Sequence, residues 1–366
     1  MINPKSRSMT TFNILVVNPR DRETQIAVYD NYKLLYMISR KHSGEELSGF
    51  ATIYDQVGFR KEIVVRELEK NHFDTSGLKV VISRGGLIKP VHSGVYKVNE
   101  QLKHDLIHSP VGDDIINIAG LMAEAIASGI PGSIALIADP TVVDEMHEVA
   151  RISGHPEFER KSIFHALNQK AVGKLHAETH KKRYEDLNLI IAHIGNGTTV
   201  GAHNKGKVID VNQGYEGDGP FSLIRSGTLP TGDVVRMCFS GTKTREEMLC
   251  LLTHCGGVNA HLGTVNINEI ETRIHEGDMH ARLVMEAMAY QVAKCIGEMY
   301  TVLKCEVDAI LITGEMAYSN FVVHHILEHV EKIAPTYLYP GDNEIKAMAA
   351  NALRVIKGEM KVQEYN

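Results

Sequence analysis

The chain has 366 residues, 43% of them apolar and 23% charged, with a net charge of -6. That length suggests about two domains of ~100–200 residues each, with a core large enough to need no staples. The acidic balance lacks the basic stripe of a nucleic-acid binder, and no run approaches the ~18 apolar residues of a membrane span. The short basic run His180-Lys181-Lys182-Arg183 reads as a solvated helix end.

Residues 1–11 are polar and patternless and read as a disordered lead. There is no signal-peptide pattern, which points to the cytoplasm. The five cysteines (238, 250, 255, 295 and 305) are odd in number and form no CxxC pair. Free thiols in a reducing compartment are expected, without thiolate-bound metal.

In chain order, the first pattern is a strand meander. Residues 13–17, 24–29 and 33–39 are short apolar or alternating runs, with Asp30-Asn31 as a tight turn. A helix at 57–71 presents Ile63, Val64 and Leu68 on one face. A buried strand at 79–83 then runs into Arg84-Gly85-Gly86, a helix covers 115–128, and a second buried strand covers 133–138 before Asp139-Pro140.

The meander then returns at 189–193, 198–203 and 207–211. Residues 24–33 align with 198–207 without a gap, at an offset of 174. Helices at 244–253, 267–276 and 279–302 follow, then a buried strand at 309–313 that meets Gly314. Two more helices flank a short strand at 336–339. A stripe of Met285, Met288, Val292, Ile296 and Met299 marks the long helix. Core packing explains it more simply than an interface does.

A βββ unit repeated before alternating helices and strands implies an α/β protein of two similar duplicated domains, each a mixed sheet covered by helices. The expected division is 12–165 plus 341–366 for the first domain and 166–340 for the second, with a nucleotide cleft between them.

Three features carry chemistry. In His193-Ile194-Gly195-Asn196-Gly197 two glycines bracket an asparagine between two strands. Glycines there allow backbone N–H groups to approach phosphate and permit positive φ. A dinucleotide fingerprint would instead open a helix, which makes a dehydrogenase remote. Arg84, beside two glycines at a strand end, and Arg225, in the loop Arg225-Ser226-Gly227-Thr228-Leu229-Pro230, can each offer a planar fork to a carboxylate or phosphate. For each, an ordinary surface ion pair is an equal alternative.

Several strings together are specific. They include Ser83-Arg84-Gly85-Gly86, Asp144-Glu145-Met146, Ser153-Gly154-His155-Pro156, residues 160–170, Val208-Ile209-Asp210-Val211-Asn212, Gly217-Asp218-Gly219-Pro220-Phe221 and Arg225–Pro230. Across nearly the whole chain after Asn13, this sequence resembles the butyrate kinases of the acetokinase family. That family lies within the sugar kinase, heat-shock ATPase and actin superfamily.

The resemblance implies reversible phosphoryl transfer between ATP and a short carboxylate with magnesium, and catalysis by positioning and charge. It implies roles for Arg84 and Arg225 in neutralising charge and for His165 as a donor to the phosphoryl oxygens. His193, Gly195, Asn196 and Gly197 would cradle the nucleotide phosphates, with Gly314 and Glu315 near the adenosine. Asn18 and Glu344 would place magnesium. Asp139 is either an orienting partner or a turn residue. A homo-oligomer is the usual assembly, with a paralogue partner as an alternative.

Three places depart from the family. Its first loop, Asn-Pro-Gly-Ser-Thr-Ser-Thr-Lys, is here Asn18-Pro19-Arg20-Asp21-Arg22-Glu23-Thr24-Gln25. This places Asp21 and Glu23 where phosphate would approach. Glu315 replaces a second glycine, and Asp113-Asp114 stands where relatives carry histidine. These changes leave two readings open, an active kinase and a catalytically silent homologue that binds a ligand or a partner.

Overall fold

The computed structural model describes residues 10–366. The expected disordered lead lies almost wholly outside the described residues. The chain divides into two compact units. One comprises the described residues up to Val142 together with Glu344–Asn366, and the other is Val143–Asn343.

The first unit opens with the meander β1 (Ile14–Arg20), β2 (Glu23–Asp30) and β3 (Lys33–Lys41). Helix α1 (Gln56–Lys70), β4 (Val80–Arg84), β5 (Val95–Lys97), α2 (Ile118–Ala127) and β6 (Ile134–Ala138) follow. Strands β4 and β6 run parallel to the first strand, and their side chains are almost wholly buried. Strands covered on both faces read as continuous apolar runs, as these do.

The second unit begins with a segment that docks its own sheet, then α3 (Ala166–Thr179) and the meander β7 (Asn188–Ile194), β8 (Thr198–Asn204) and β9 (Lys207–Val211). Helices α4 (Arg245–Thr253) and α5 (Met279–Val302), strand β10 (Ala309–Gly314), α6 (Asn320–Val330) and β11 (Thr336–Pro340) complete it. The chain then returns to the first unit with α7 (Glu344–Ile356) and β12 (Val362–Gln363).

Among the described residues the first unit's seven-stranded sheet has the order β12-β5-β6-β4-β1-β2-β3, and the second unit's five-stranded sheet has β9-β8-β7-β10-β11. In each, the first meander strand pairs in parallel with the next buried strand. The duplication extends to irregularities. The ladder slips at Val28/Tyr29 in one sheet and at Ala202/His203 in the other, positions 174 apart. The turns that follow place Asn31 and Lys205, again corresponding residues, at φ 52° and 49°.

Residues 143–165 pack with the second unit, not with the first as the sequence suggested. Val143, Met146, Phe164 and Ala166 form a cluster with Val208 and Val211. The Lys170 ammonium meets Glu145 at 2.8 Å, and the Arg160 guanidinium meets Asp210 at 2.9 Å. Both residues of the first pair are largely buried, so removing one partner would cost about 3–5 kcal/mol. These contacts account for several of the family strings as scaffold.

The methionine stripe of α5 is core. Met285, Met288, Val292 and Ile296 are wholly buried against β7, β8 and β10. Cysteine pairing differs from expectation. After α4 the chain folds back, with the Cys255 N–H donating to the Cys250 carbonyl at 2.7 Å, and the two side chains form a disulfide across 5.4 Å between Cα atoms. Cys238, Cys295 and Cys305 are free. Among the described residues no helix is long and apolar enough to cross a membrane.

Candidate functional site

In the first unit, three of the singled-out residues lie near the ends of two strands and the start of a helix. Asn18 lies on β1, two residues before Arg20 ends that strand; Arg84 ends β4; Glu344 opens α7. The Glu344 carboxylate accepts from Arg84 Nη1 at 3.5 Å and has Arg20 Nη2 at 3.9 Å. Arg84 Nη2 also donates to the Pro19 carbonyl at 3.4 Å. Arg20, from the altered loop, thus adds a second guanidinium beside Glu344.

Asn18 is fully buried. Its Nδ2 donates to Gln25 Oε1 at 2.9 Å, which turns Oδ1 away, and that oxygen has no hydrogen-bond partner. A buried acceptor left unmatched is unusual and points to a ligand-facing atom. One amide oxygen and one carboxylate are hard donors. They fit magnesium, which takes one or two protein oxygens and completes its shell with phosphates and water.

The altered loop is a tight hairpin in which Arg20 pairs with Glu23. Its tip, Asp21 and Arg22, is exposed. The Glu23 carboxylate is drawn to Ser39 Oγ at 2.7 Å on the neighbouring strand. Below the hairpin lies Arg60, fully buried. It donates to the carbonyls of Arg20 (2.9 Å), Asp21 (3.0 Å) and Glu23 (2.8 Å) and to Thr24 Oγ1 (3.1 Å). Burial lowers its pKa to about 10, so it stays charged at neutral pH. The sequence reading missed Arg60, although it continues the buried stripe of Val64 and Leu68 at four-residue steps, where a cation is out of pattern.

Asp139 takes the contacts of a turn anchor. Its φ is 36°, and its Oδ1 accepts from Ser93 Oγ at 2.6 Å and the Gly94 N–H at 2.9 Å. Asp114 caps the short turn Ile115–Asn117, and Asp113 accepts from Tyr54 at 2.7 Å. Local structure therefore explains both acidic residues.

In the second unit, the β7–β8 hairpin carries His193, Gly195, Asn196 and Gly197. The carbonyls of its tip are engaged. Gly195 accepts from the Leu223 N–H at 3.3 Å, and Asn196 accepts from Ser222 Oγ at 2.5 Å and the Ile224 N–H at 3.4 Å. Their negative ends thereby point into protein and not towards an incoming phosphate. Neither glycine adopts positive φ, contrary to the sequence expectation. Space is what position 197 requires, since a Cβ there would lie 2.2 Å from Arg225 Nη1 and 3.3 Å from His165 Cε1.

Several contacts hold Arg225. Its N–H donates to Ser222 Oγ at 3.0 Å, Nη1 donates to the Gly214 carbonyl at 2.6 Å, and the guanidinium sits 5.2 Å above the Tyr215 ring. A cation over an aromatic face is stabilised by roughly 0.5–2 kcal/mol. His165, at the N-cap of α3, has Nδ1 2.8 Å from Thr199 Oγ1. Its ring stacks on that of His193, whose Nδ1 is 2.9 Å from Asn168 Oδ1.

Gly314 adjoins the same hairpin. It has φ 90°, and a Cβ would lie 2.3 Å from the Ile194 carbonyl. Glu315 follows it and is exposed at the start of a short helical turn. So His165, His193, Gly197 and Arg225 converge, with Gly314 beside them. The arrangement gathers cationic and N–H donors beside two glycines, a set suited to phosphate oxygens.

The sequence profile described as the acetokinase family matches residues 156–353. The chain is 45% identical to butyrate kinase 2 of Clostridium acetobutylicum over 97% of its own length and 99% of the relative's. It is 44% identical to a probable butyrate kinase of Bacteroides thetaiotaomicron over 96% and 99%. Among solved structures, Porphyromonas gingivalis acetate kinase superposes with a TM-score of 0.76 at 17% identity, covering 94% of this chain and 100% of that one. A Francisella tularensis propionate kinase gives 0.74 at 16%, covering 93% and 98%. The structural matches speak for the fold.

Proposed function

Because this chain belongs to the acetokinase family, we propose that it is a carboxylate kinase acting on a short acid of butyrate size, straight or branched. A carboxylate oxygen attacks the terminal phosphorus of ATP, the bond to the ADP oxygen breaks, and an acyl phosphate forms; the reverse step regenerates ATP. The observation that carries this reading is full-length similarity to butyrate kinases.

The site residues are given roles on the same footing. In the second unit, Arg225 and His165 donate to the transferring phosphoryl oxygens, and His193 to Gly197, with Gly314 and Glu315, receive the nucleotide. In the first unit, Arg84 balances anionic charge, while Asn18 and Glu344 supply oxygen donors. Magnesium, when bound through those donors, screens the charge of the phosphates. What supports these roles is the unmatched Asn18 oxygen and the convergence of Arg225 and His165 on Gly197.

The altered first loop fits an active enzyme. Glu23 is turned onto Ser39, Arg20 stands beside Glu344, and Asn18 keeps its buried oxygen unmatched by any protein donor. A cytoplasmic homo-oligomer, not a pair with a paralogue, belongs to the same proposal, and sedimentation of the pure chain tests it. For the activity, ADP release is measured with magnesium, ATP and straight or branched acids. Acid-dependent release that drops about 100-fold or more in Arg225→Ala supports the reading. A folded protein that releases no ADP with any of these acids contradicts it.

A further inference from the structure

Strand β8 carries an unexpected buried polar face. Thr199, Gly201 and His203 alternate onto the side opposite Val200 and Ala202, which enter the core of the second unit. Thr199 and His203 are fully buried, as is Gln169 of α3, which reaches both. Buried polar groups in a chain of this kind must all be satisfied, and that requirement fixes the direction of every proton.

The backbone carbonyl of Thr199 can only accept. Gln169 Nε2 lies 3.1 Å from it and 2.9 Å from Thr199 Oγ1, so the amide nitrogen faces both. The amide oxygen of Gln169 therefore faces His203 Nε2 at 2.9 Å, and that nitrogen must carry a proton. Burial, and then Lys170, hold the His203 imidazole neutral. Its Nδ1 is accordingly an acceptor, filled by the Tyr184 hydroxyl at 2.6 Å. At the other end, the two acceptor sites of Thr199 Oγ1 take the Gln169 amide at 2.9 Å and the His165 backbone N–H at 3.4 Å, so its own proton points to His165 Nδ1, 2.8 Å away.

We propose that Tyr184, His203, Gln169 and Thr199 form a one-way hydrogen-bond relay whose task is to hold His165 in the tautomer with its proton on Nε2. The inference rests on the reading of His165 as a donor to phosphoryl oxygen. A neutral imidazole presents a donor from one nitrogen only, and the relay decides which. Gly201 leaves room for it, since a Cβ there would stand 2.6 Å from Gln169 Oε1 and 3.2 Å from His203 Nε2. These four are positioning residues. None is assigned to substrate.

The test combines spectroscopy and kinetics. Protein labelled with 15N-histidine is examined by long-range 1H–15N correlation, with the His165 signals identified by their loss in His165→Gln. The expected pattern is a protonated Nε2 and an unprotonated Nδ1. Thr199→Val, which keeps the shape and removes the hydroxyl, should erase that preference. It should also lower kcat about 10-fold to 100-fold with KM little changed, and Thr199→Ser should restore both. Gln169→Glu, whose ionised side chain cannot donate to Thr199, should behave like Thr199→Val.

A protonated Nδ1 in the unaltered protein overturns the relay without any variant. So does a Thr199→Val protein that turns over normally while His165→Gln does not. If His165→Gln itself retains full turnover, the donor role of His165 falls, and the relay's purpose falls with it, whichever tautomer is seen.

Discussion

The imidazole rings of His165 and His193 lie face to face, with centroids 3.8 Å apart and planes 13° from parallel. Each is anchored through Nδ1, one to Thr199 and the other to Asn168. The stack fixes the plane of His165, and the anchor fixes its rotation about that plane. Removing the proposed donor in His165→Ala should lower kcat about 100-fold to 1,000-fold. His193→Ala, which removes the stacking platform and one of the groups proposed to receive the nucleotide but not the phosphoryl donor, should cost about 10-fold in kcat, within the range for misplacement of a reacting group. Steady-state kinetics on both variants, with KM reported beside kcat, checks the order.

Gly197 is tightly enclosed. A methyl group there would collide with Arg225 Nη1 and press on His165. Gly197→Ala should leave the protein folded, because the tip lies at a sheet end, yet it should lower kcat/KM about 100-fold by displacing both groups. Gly195→Ala, whose Cβ would meet nothing closer than His193 Nε2 at 3.5 Å, should be far milder. Equal effects from the two substitutions would count against the proposed crowding.

Arg60 holds the first hairpin from beneath through three carbonyls and a hydroxyl. Arg60→Met keeps the bulk and strips the carbonyls of Arg20 and Glu23 of their guanidinium donor. Each such group costs about 1–3 kcal/mol, so the variant should lose at least ~2 kcal/mol of stability. Thermal melting of the two proteins side by side measures the loss. Little or no change would mean that water replaces the guanidinium.

Much of the fold was legible because its signals are local. The two meanders, the buried strands and the long helix follow from period and turn chemistry, and matched ladder slips near Val28 and Ala202 confirm the internal repeat. The boundary near Val143 was not legible. It depends on contacts between distant residues, such as Lys170 with Glu145, that no local pattern announces. The Cys250–Cys255 pairing likewise needs the reversal after α4.

The candidate site was legible as residue types and much less so as geometry. Arg225, His165 and Gly197 were singled out, and the structure brings them together. Asp139 was left between two readings, and its bonds to Ser93 and Gly94 are those of a turn. Thr199 and His203 carried a signal that went unused, namely polar side chains and a glycine alternating along a strand otherwise bound for the core.

His176 makes the second unit sensitive to acid. It joins α3 to β11, with Nδ1 2.9 Å from the Tyr339 hydroxyl and its ring against His180 and Tyr337. Burial, then the neighbouring His180 and Lys182, lower its pKa from 6.5 to about 4. The folded state thus disfavours the charged form. Its share of stability is intact above pH 6.5, falls as the pH drops towards about 4, and changes no further below that. The melting temperature of His176→Phe should fall less steeply across that window than that of the unaltered protein. Parallel curves would contradict this assignment.

The central claim is that this chain makes an acyl phosphate. Hydroxylamine traps such a product as a hydroxamate, so the pure protein is incubated with butyrate, magnesium, ATP and hydroxylamine. Butyryl hydroxamate that forms in proportion to enzyme, and falls at least about 100-fold in Arg225→Ala, is the expected result. A well-folded sample that yields none, with butyrate or with other short straight and branched acids, would contradict it.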